Sequence, residues 1–411
     1  MRAMDLERRY CAHNYVPLDV EVAHGEGAWL TDSDGQRFLD MMSAYSAVSH
    51  GHGHPRIKQA LVEQLDRVAV TSRAFYTDQL GPFLEKLCSV SGFEAALPMN
   101  TGAEAVETAI KAARRWGYAF KGIADDQAEI IVGTNNFHGR TTTIVGFSTD
   151  AEYKRQFGPF SGGFVAATYG DIAAFEKAIT PNTCAILLEP MQGEAGIIAP
   201  PDGFLSQLRK LCDDNNVLLI LDEIQSGLGR TGKMFAFQHE DMRPDGLILG
   251  KALGGGVLPV SAFLADKAIM DLFGPGSHGS TFGGNPLAAA VGLAALTILE
   301  EEDLAGRSAA LGALMKTRLE RLNSPLIRQV RGKGLWLGVE FWPEKADAKD
   351  VVMRLKERGI LAKETHATTI RLAPPLVIEK ADLEWALGQF EAVLQDVQRD
   401  SYAEPERHAA E

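Results

Sequence analysis

A chain of 411 residues has the length for two or three domains and ample material for a large core. Its 45% hydrophobic and 23% charged content suits a soluble globular enzyme, and a net charge of −13 argues against nucleic acid or an anionic membrane as partner. Four cysteines without CxxC spacing make neither a disulfide framework nor a zinc site, and with no apolar signal core or spanning stretch the expected location is a reducing cytoplasm.

In chain order, residues 27–31 and 37–40 flank Asp32-Ser33-Asp34-Gly35-Gln36, a hairpin signal. His50-Gly51-His52-Gly53-His54-Pro55 follows. Alternating histidines invite a metal reading, but a Gly/Pro-rich loop fixes no coordination geometry, and no metal is expected. Ile57, Leu61, Leu65 and Val68 then mark an amphipathic helix. Over 80–299 helical and strand patterns alternate, the mark of a largely parallel sheet covered by helices. The clearest strands are 130–132, 185–188, 217–221 and 247–249, and the helices between them include 104–116, 172–179 and 203–215. Beyond about 302 the pattern changes to a smaller α+β unit: helix 311–322, strand 335–341, helix 351–357, strand 369–372 and a last helix 380–397. The expected division is therefore 1–60 contributing to a small domain, 61–303 as the large domain, 304–400 completing the small one, and 401–411 as a frayed polar tail.

The chemistry concentrates where strands end. The run 217–221 delivers Asp222, and 247–249 delivers Gly250-Lys251 before Gly254-Gly255-Gly256. Ligands of open α/β sheets gather outside such carboxyl ends. Singly, Asp222 reads as a helix cap and Lys251 as a solvated loop charge. Together they supply an amine for a Schiff base and a carboxylate for a pyridinium nitrogen, the two groups pyridoxal phosphate requires. Thr101 and Glu104 form a capping box around Gly102 and Ala103, whose bare N–H groups at a helix start suit a phosphate. Arg140, in Asn136-Phe137-His138-Gly139-Arg140, is either a surface cation or a bidentate grip on a carboxylate. Glu194 sits on a glycine-flanked strand-end loop, and Ser280 and Thr281 on another Gly-rich, anion-friendly loop. Arg371 is a lone charge inside an apolar strand and demands a partner or a substrate carboxylate.

Asp222-Glu223-Ile224-Gln225-Ser226-Gly227-Leu228-Gly229-Arg230-Thr231-Gly232, then Arg243-Pro244-Asp245 and Gly250-Lys251-Ala252-Leu253, resembles the signature of class III aminotransferases. Within that class, the phrases around Tyr45, Tyr76, Asn100 and Arg371-Leu372-Ala373-Pro374-Pro375 are most similar to the ornithine aminotransferases. The resemblance implies an α/β fold of the pyridoxal-phosphate-dependent, aspartate aminotransferase-like type. It implies δ-amino transfer from L-ornithine to 2-oxoglutarate, giving glutamate 5-semialdehyde, which cyclises, and glutamate. It also implies a homodimer or dimer of dimers with interface active sites. By resemblance Lys251 binds the cofactor and shuttles the proton, Asp222 faces the ring nitrogen, Gln225 the ring oxygen, and Phe137 stacks on the ring with His138 beside it, where some relatives carry tryptophan. Gly102, Ala103, Ser280 and Thr281 take the phosphate, Thr281 from the partner subunit. Tyr45, Tyr76 and Arg140 line the substrate pocket, and Glu194 masks Arg371 until 2-oxoglutarate displaces it. Acetylornithine, 4-aminobutyrate and lysine aminotransferases are the alternatives.

Overall fold

Neighbouring residues of the central strands pack into two separate cores, which explains why these strands read as continuous apolar runs. Ile131, Ile186, Leu219 and Leu247 belong to one core, and Ile130, Leu187, Ile220 and Ile248 to the other. A strand covered on both faces has no reason to alternate with polar residues. Each such side chain contributes roughly 1.5–3 kcal/mol relative to exposure, enough to fix the register of the sheet.

A computed structural model describes the backbone of residues 2–408 and the side chains of residues 2–400. An N-terminal meander, β1 (Val22–Glu26), β2 (Trp29–Asp32) and β3 (Arg37–Asp40), contains the predicted hairpin. The central sheet follows: β4 (Ala95–Met99), β5 (Glu129–Gly133), β6 (Phe164–Ala167), β7 (Thr183–Leu188), β8 (Leu218–Asp222), β9 (Gly246–Leu249) and β10 (Ser261–Ala265). Its order is β4-β10-β9-β8-β7-β5-β6. It is parallel except for β10, which runs antiparallel between β4 and β9. The C-terminal strands are β11 (Ile327–Gly332), β12 (Leu337–Phe341), β13 (Ile360–Leu361), β14 (Lys363–Thr365) and β15 (Thr369–Leu372). Four of them form an antiparallel sheet in the order β11-β12-β15-β14, while β13 pairs in parallel with β3.

The first forty residues thus share a sheet with the end of the chain. Trp29 reinforces this: its Nε1 donates to Asp382 at 3.0 Å, and its ring lies 5.6 Å from that of Trp385, both on the last helix, Lys380–His408. Of the tail expected to be frayed, residues 409–411 and the side chains from 401 onward lie outside the described residues. Among the described residues no helix is long and apolar enough to cross a membrane. The three alternating histidines go separate ways, His50 to the Ala295 carbonyl, His52 to Asp40 and His54 to Glu302.

The helix Leu304–Arg321 joins the two sheets, and its Gly312 lies directly on the turn between β11 and β12. A Cβ there would meet the Gly334 carbonyl at 2.1 Å, backbone against backbone. Gly312→Ala is expected to cost about 1–3 kcal/mol by forcing the helix off that turn. The check is the thermal unfolding midpoint; an unchanged midpoint contradicts this packing.

Candidate active site

Four loops at the carboxyl ends of β5, β7, β8 and β9 and the start of the helix Gly102–Phe120 enclose a cavity of about 190 Å³. Gly102, Ala103, Phe137, His138, Asp222, Gln225 and Lys251, seven of the predicted site residues, line it. Lys251 follows Gly250 in a left-handed conformation (φ 46°) that turns its side chain out of the strand direction. Burial holds its amine below the usual lysine range, with Arg371 adding to the effect and the charges of Glu194, Asp222 and Glu189 opposing it. An amine so shifted is closer to the neutral, nucleophilic form than a surface lysine.

Asp222 is the last residue of β8 and only 4% exposed at its side chain. Its Oδ1 accepts the Ile224 amide at 3.0 Å, and its Oδ2 lies 2.7 Å from His138 Nδ1. Burial pulls His138 down, but the hydrogen bond and charge of Asp222, helped by Glu189, outweigh it and leave its pKa raised. His138 Nε2 is buried without a partner among the described residues.

The helix Gly102–Phe120 begins as predicted. Thr101 Oγ1 accepts the Glu104 amide at 3.3 Å, and Glu104 Oε2 accepts the Thr101 amide at 2.6 Å. Burial pushes the Glu104 carboxyl up, but its bonds from Thr101 and Asn100 prevail and its pKa is lowered. Among the described residues the Gly102 and Ala103 amides have no partner, so two donors at a positive helix end face the cavity.

A smaller cavity adjoins the first, lined by Tyr45, Gln225, Trp336, Lys363 and Arg371. Arg371, on β15 and 7% exposed, donates to Glu194 Oε1 at 2.6 Å, and its Cζ lies 5.0 Å from the Tyr45 ring centre. Gln225 reaches both cavities because Gly193 leaves it room; a Cβ on Gly193 would sit 2.1 Å from Gln225 Oε1. Arg140 is exposed and has no carboxylate partner among the described residues; it lies 3.9 Å from the Tyr153 ring centre and 5.4 Å from that of Phe137.

Five predicted site residues line neither cavity: Glu194 and Arg140 adjoin them through Arg371 and Phe137, and Tyr76, Ser280 and Thr281 do not. Tyr76 is fully exposed, Thr281 is exposed, and Ser280 Oγ instead accepts from Asn100 Nδ2 at 2.9 Å. All three lie on segments without regular structure that no strand end aims inward. Two participants escaped the sequence reading. Glu189 lines the larger cavity and ties its loops together, accepting the amides of Phe137 at 3.1 Å and Gly193 at 3.3 Å. Burial, with the charge of Asp222, pushes its carboxyl up to about 7. Tyr153 carries the Arg140 guanidinium. A second acid in the Glu189-to-Glu194 loop was the available signal for the first; a four-residue helix gave none for the second.

The family model for Aminotransferase class-III matches residues 10–394. The chain belongs to the class III aminotransferases. It is 57% identical to the ornithine aminotransferase of Macrococcus caseolyticus over 95% of this chain and 98% of that protein. Among solved structures, the ornithine aminotransferase of Toxoplasma gondii, described with partially occupied PLP, superposes with a TM-score of 0.95 at 43% identity, covering 97% of this chain and 94% of that one. The acetylornithine aminotransferase of Elizabethkingia anophelis superposes with a TM-score of 0.88 at 50% identity, covering 96% and 98%. The α/β architecture is that of the pyridoxal-phosphate-dependent transferases. The class III aminotransferase uses pyridoxal phosphate, and the residues present fit it: unpaired amides for an anion, a depressed amine, and a buried carboxylate opposite.

The His138–Asp222 pair makes a prediction with a definite sign. Because folding raises the His138 pKa, its contribution to stability is full below the unfolded value of about 6.5 and is lost as pH rises through the native value. The difference in thermal midpoint between cofactor-free wild type and His138→Gln is expected to shrink as pH rises from 6 to 9. A difference that grows over that range contradicts the protonated pair.

Proposed function

We propose that the chain is an ornithine δ-aminotransferase: it moves the δ-amino group of L-ornithine to 2-oxoglutarate, yielding glutamate and glutamate 5-semialdehyde, which cyclises to 1-pyrroline-5-carboxylate. The observation that carries this reading is the Arg371–Glu194 ion pair beside Tyr45, with Arg140 free of any acid partner among the described residues. Pyridoxal phosphate, when bound, supplies the electron sink for the carbon bearing the transferred amine. Lys251 binds it and carries the proton on Nζ; Asp222 faces its ring nitrogen, Gln225 its ring oxygen and Phe137 its face. The amides of Gly102 and Ala103 hold its phosphate. Tyr45 and Arg140 hold the α-amine and α-carboxylate of ornithine, which directs the δ-amine to the cofactor held at Lys251.

The same cavity must accept two unlike molecules. With ornithine bound, Glu194 cancels the charge of Arg371, so no guanidinium there attracts an α-carboxylate and turns the α-amine inward. With 2-oxoglutarate, the substrate's α-carboxylate replaces Glu194 on Arg371 while Arg140 holds the distal one. Both states keep the Arg371 charge paired. The cofactor-holding unit is 61–303, and the unit supplying Tyr45 and Arg371 is 1–60 with 304–400.

Two copies complete the site in this reading. Tyr76, Ser280 and Thr281, which lie away from their own chain's cavities, serve the partner's in a homodimer or dimer of dimers. The four cysteines are free, in keeping with the cytoplasm. The pathway role is breakdown of arginine and ornithine or supply of proline. Acetylornithine transfer is the second reading, favoured by the 50% identity to the Elizabethkingia anophelis enzyme.

A substrate panel with 2-oxoglutarate as acceptor tests this directly: pyrroline-5-carboxylate is expected to form faster from ornithine than any product from N-acetylornithine, and the reverse order overturns the assignment within the class. Glu194→Ala is expected to lose preference for the δ-amine and to gain turnover of glutamate's α-amine by about tenfold, the scale of one unmasked charge contact. Equal regiospecificity in mutant and wild type would sink the masking role of Glu194.

A further inference from the structure

The backbone from Ser43 to Ser46 is left-handed at four consecutive residues, none of them glycine, with φ of 42°, 46°, 58° and 74°. Residues with a Cβ visit this region singly and at a cost, so a run of four persists only where its surroundings over-determine it. The third member is Tyr45, whose ring faces Arg371.

Two buried charged groups hold the run. Asp40 Oδ1 accepts the amides of Met42 and Ser43, both at 2.8 Å, and Asp40 Oδ2 pairs with His52 Nε2 at 2.8 Å. Arg230 is wholly enclosed. One terminal nitrogen donates to Ser43 Oγ at 3.1 Å and Ser49 Oγ at 2.9 Å; the other donates to the carbonyls of Leu335 at 3.0 Å and Pro374 at 2.6 Å. Ser43 Oγ in turn donates a hydrogen bond to the Ala373 carbonyl at 2.7 Å. One guanidinium therefore holds the start of the left-handed run directly, its last residue through Ser49, whose Oγ donates to the Ser46 carbonyl at 2.9 Å, and the stretch just after β15.

Arg230 has no carboxylate within ion-pair distance among the described residues, and its Nε is buried without a partner. Burial pushes its pKa down to about 9, with the charge of Asp40 opposing from a distance, so it stays cationic near neutral pH. A buried cation on neutral acceptors is a poor device for stability alone, since apolar side chains of similar volume commonly do as well. Its planar fork is suited to fixing several groups at once.

We propose that Arg230 is a positioning residue for the amino-acid substrate: together with Asp40 it enforces the left-handed run 43–46 and so sets the Tyr45 ring against Arg371. The proposal rests on the reading of Tyr45 as a substrate contact. It makes the pocket's shape depend on a residue that touches no substrate.

The test compares four variants of the holoenzyme: Tyr45→Phe, Arg230→Lys, Ala44→Gly, and Arg230→Lys combined with Ala44→Gly. Arg230→Lys keeps the charge but lacks the fork; it is expected to raise KM for ornithine about tenfold, with kcat within about twofold and the bound-cofactor absorbance unchanged. Ala44→Gly, at an exposed position, removes the Cβ that makes left-handed backbone costly. Alone it is expected to leave KM unchanged, and in the double variant to recover most of the loss. Should Arg230→Lys fail to fold, Ser49→Ala removes one hydroxyl acceptor and gives a smaller KM rise, again rescued by Ala44→Gly. A KM near wild type in Arg230→Lys, or a rise that Ala44→Gly does not recover, overturns the proposal. An unchanged KM in Tyr45→Phe overturns instead the assignment of Tyr45 to the substrate, whatever Arg230→Lys does.

Discussion

A guanidinium enclosed in a β-sheet has to have its charge met, and Arg371 meets it with Glu194 at 2.6 Å across two structural units. Arg371 belongs to the C-terminal sheet, Glu194 to the loop after β7 of the central one. Removing one partner of a buried ion pair costs about 3–5 kcal/mol, so displacing Glu194 from Arg371 is least costly when the incoming group is itself a carboxylate. In the proposed exchange an incoming carboxylate would replace Glu194 on Arg371 and keep the charge met, which would let one pocket take two substrates. Thr365 Oγ1 donates to the Glu194 carbonyl at 2.8 Å and Arg331 Nε to the Gly196 carbonyl at 2.8 Å, pinning the backbone of the loop that carries Glu194.

The central sheet supplies the other half of the chemistry. Its parallel strands stop at one edge, and their ends bring Glu189, Asp222 and Lys251 around one cavity of about 190 Å³. Crowding alone would give an amine fully protonated by its acidic neighbours. Burial acts the other way and prevails at Lys251, while the same burial brings Glu189 up to about 7. Asp222 is spared an isolated charge by the His138 proton. The groups that fit the cofactor thus lie at the ends of the central strands, and Tyr45 and Arg371 come from the N-terminal segment and the C-terminal sheet.

Much of this was legible in the residues themselves. Asp222 and Lys251 follow apolar runs too short to be helices and bounded by turn residues, and the Thr101–Glu104 capping box announces its helix start. Arg371 stands out because a charge in an apolar strand is anomalous. What stayed hidden depended on tertiary context. β10 reads like its neighbours, yet its antiparallel direction is decided by pairing with β4 and β9. No glycine marks the left-handed run at 43–46, and nothing in the glycine-rich stretch around Arg230 announces that this cation is completely buried. Tyr76, Ser280 and Thr281 were placed at the site by resemblance, but a single chain leaves them outside it.

Following the transferred nitrogen tests the central claim most directly. Ornithine carrying labelled nitrogen only at its δ-amino group is incubated with 2-oxoglutarate, and both products are analysed by mass spectrometry. The account predicts labelled glutamate and unlabelled pyrroline-5-carboxylate. Unlabelled glutamate, with the label retained in the ornithine-derived product, would mean that the α-amine had been taken and would contradict it.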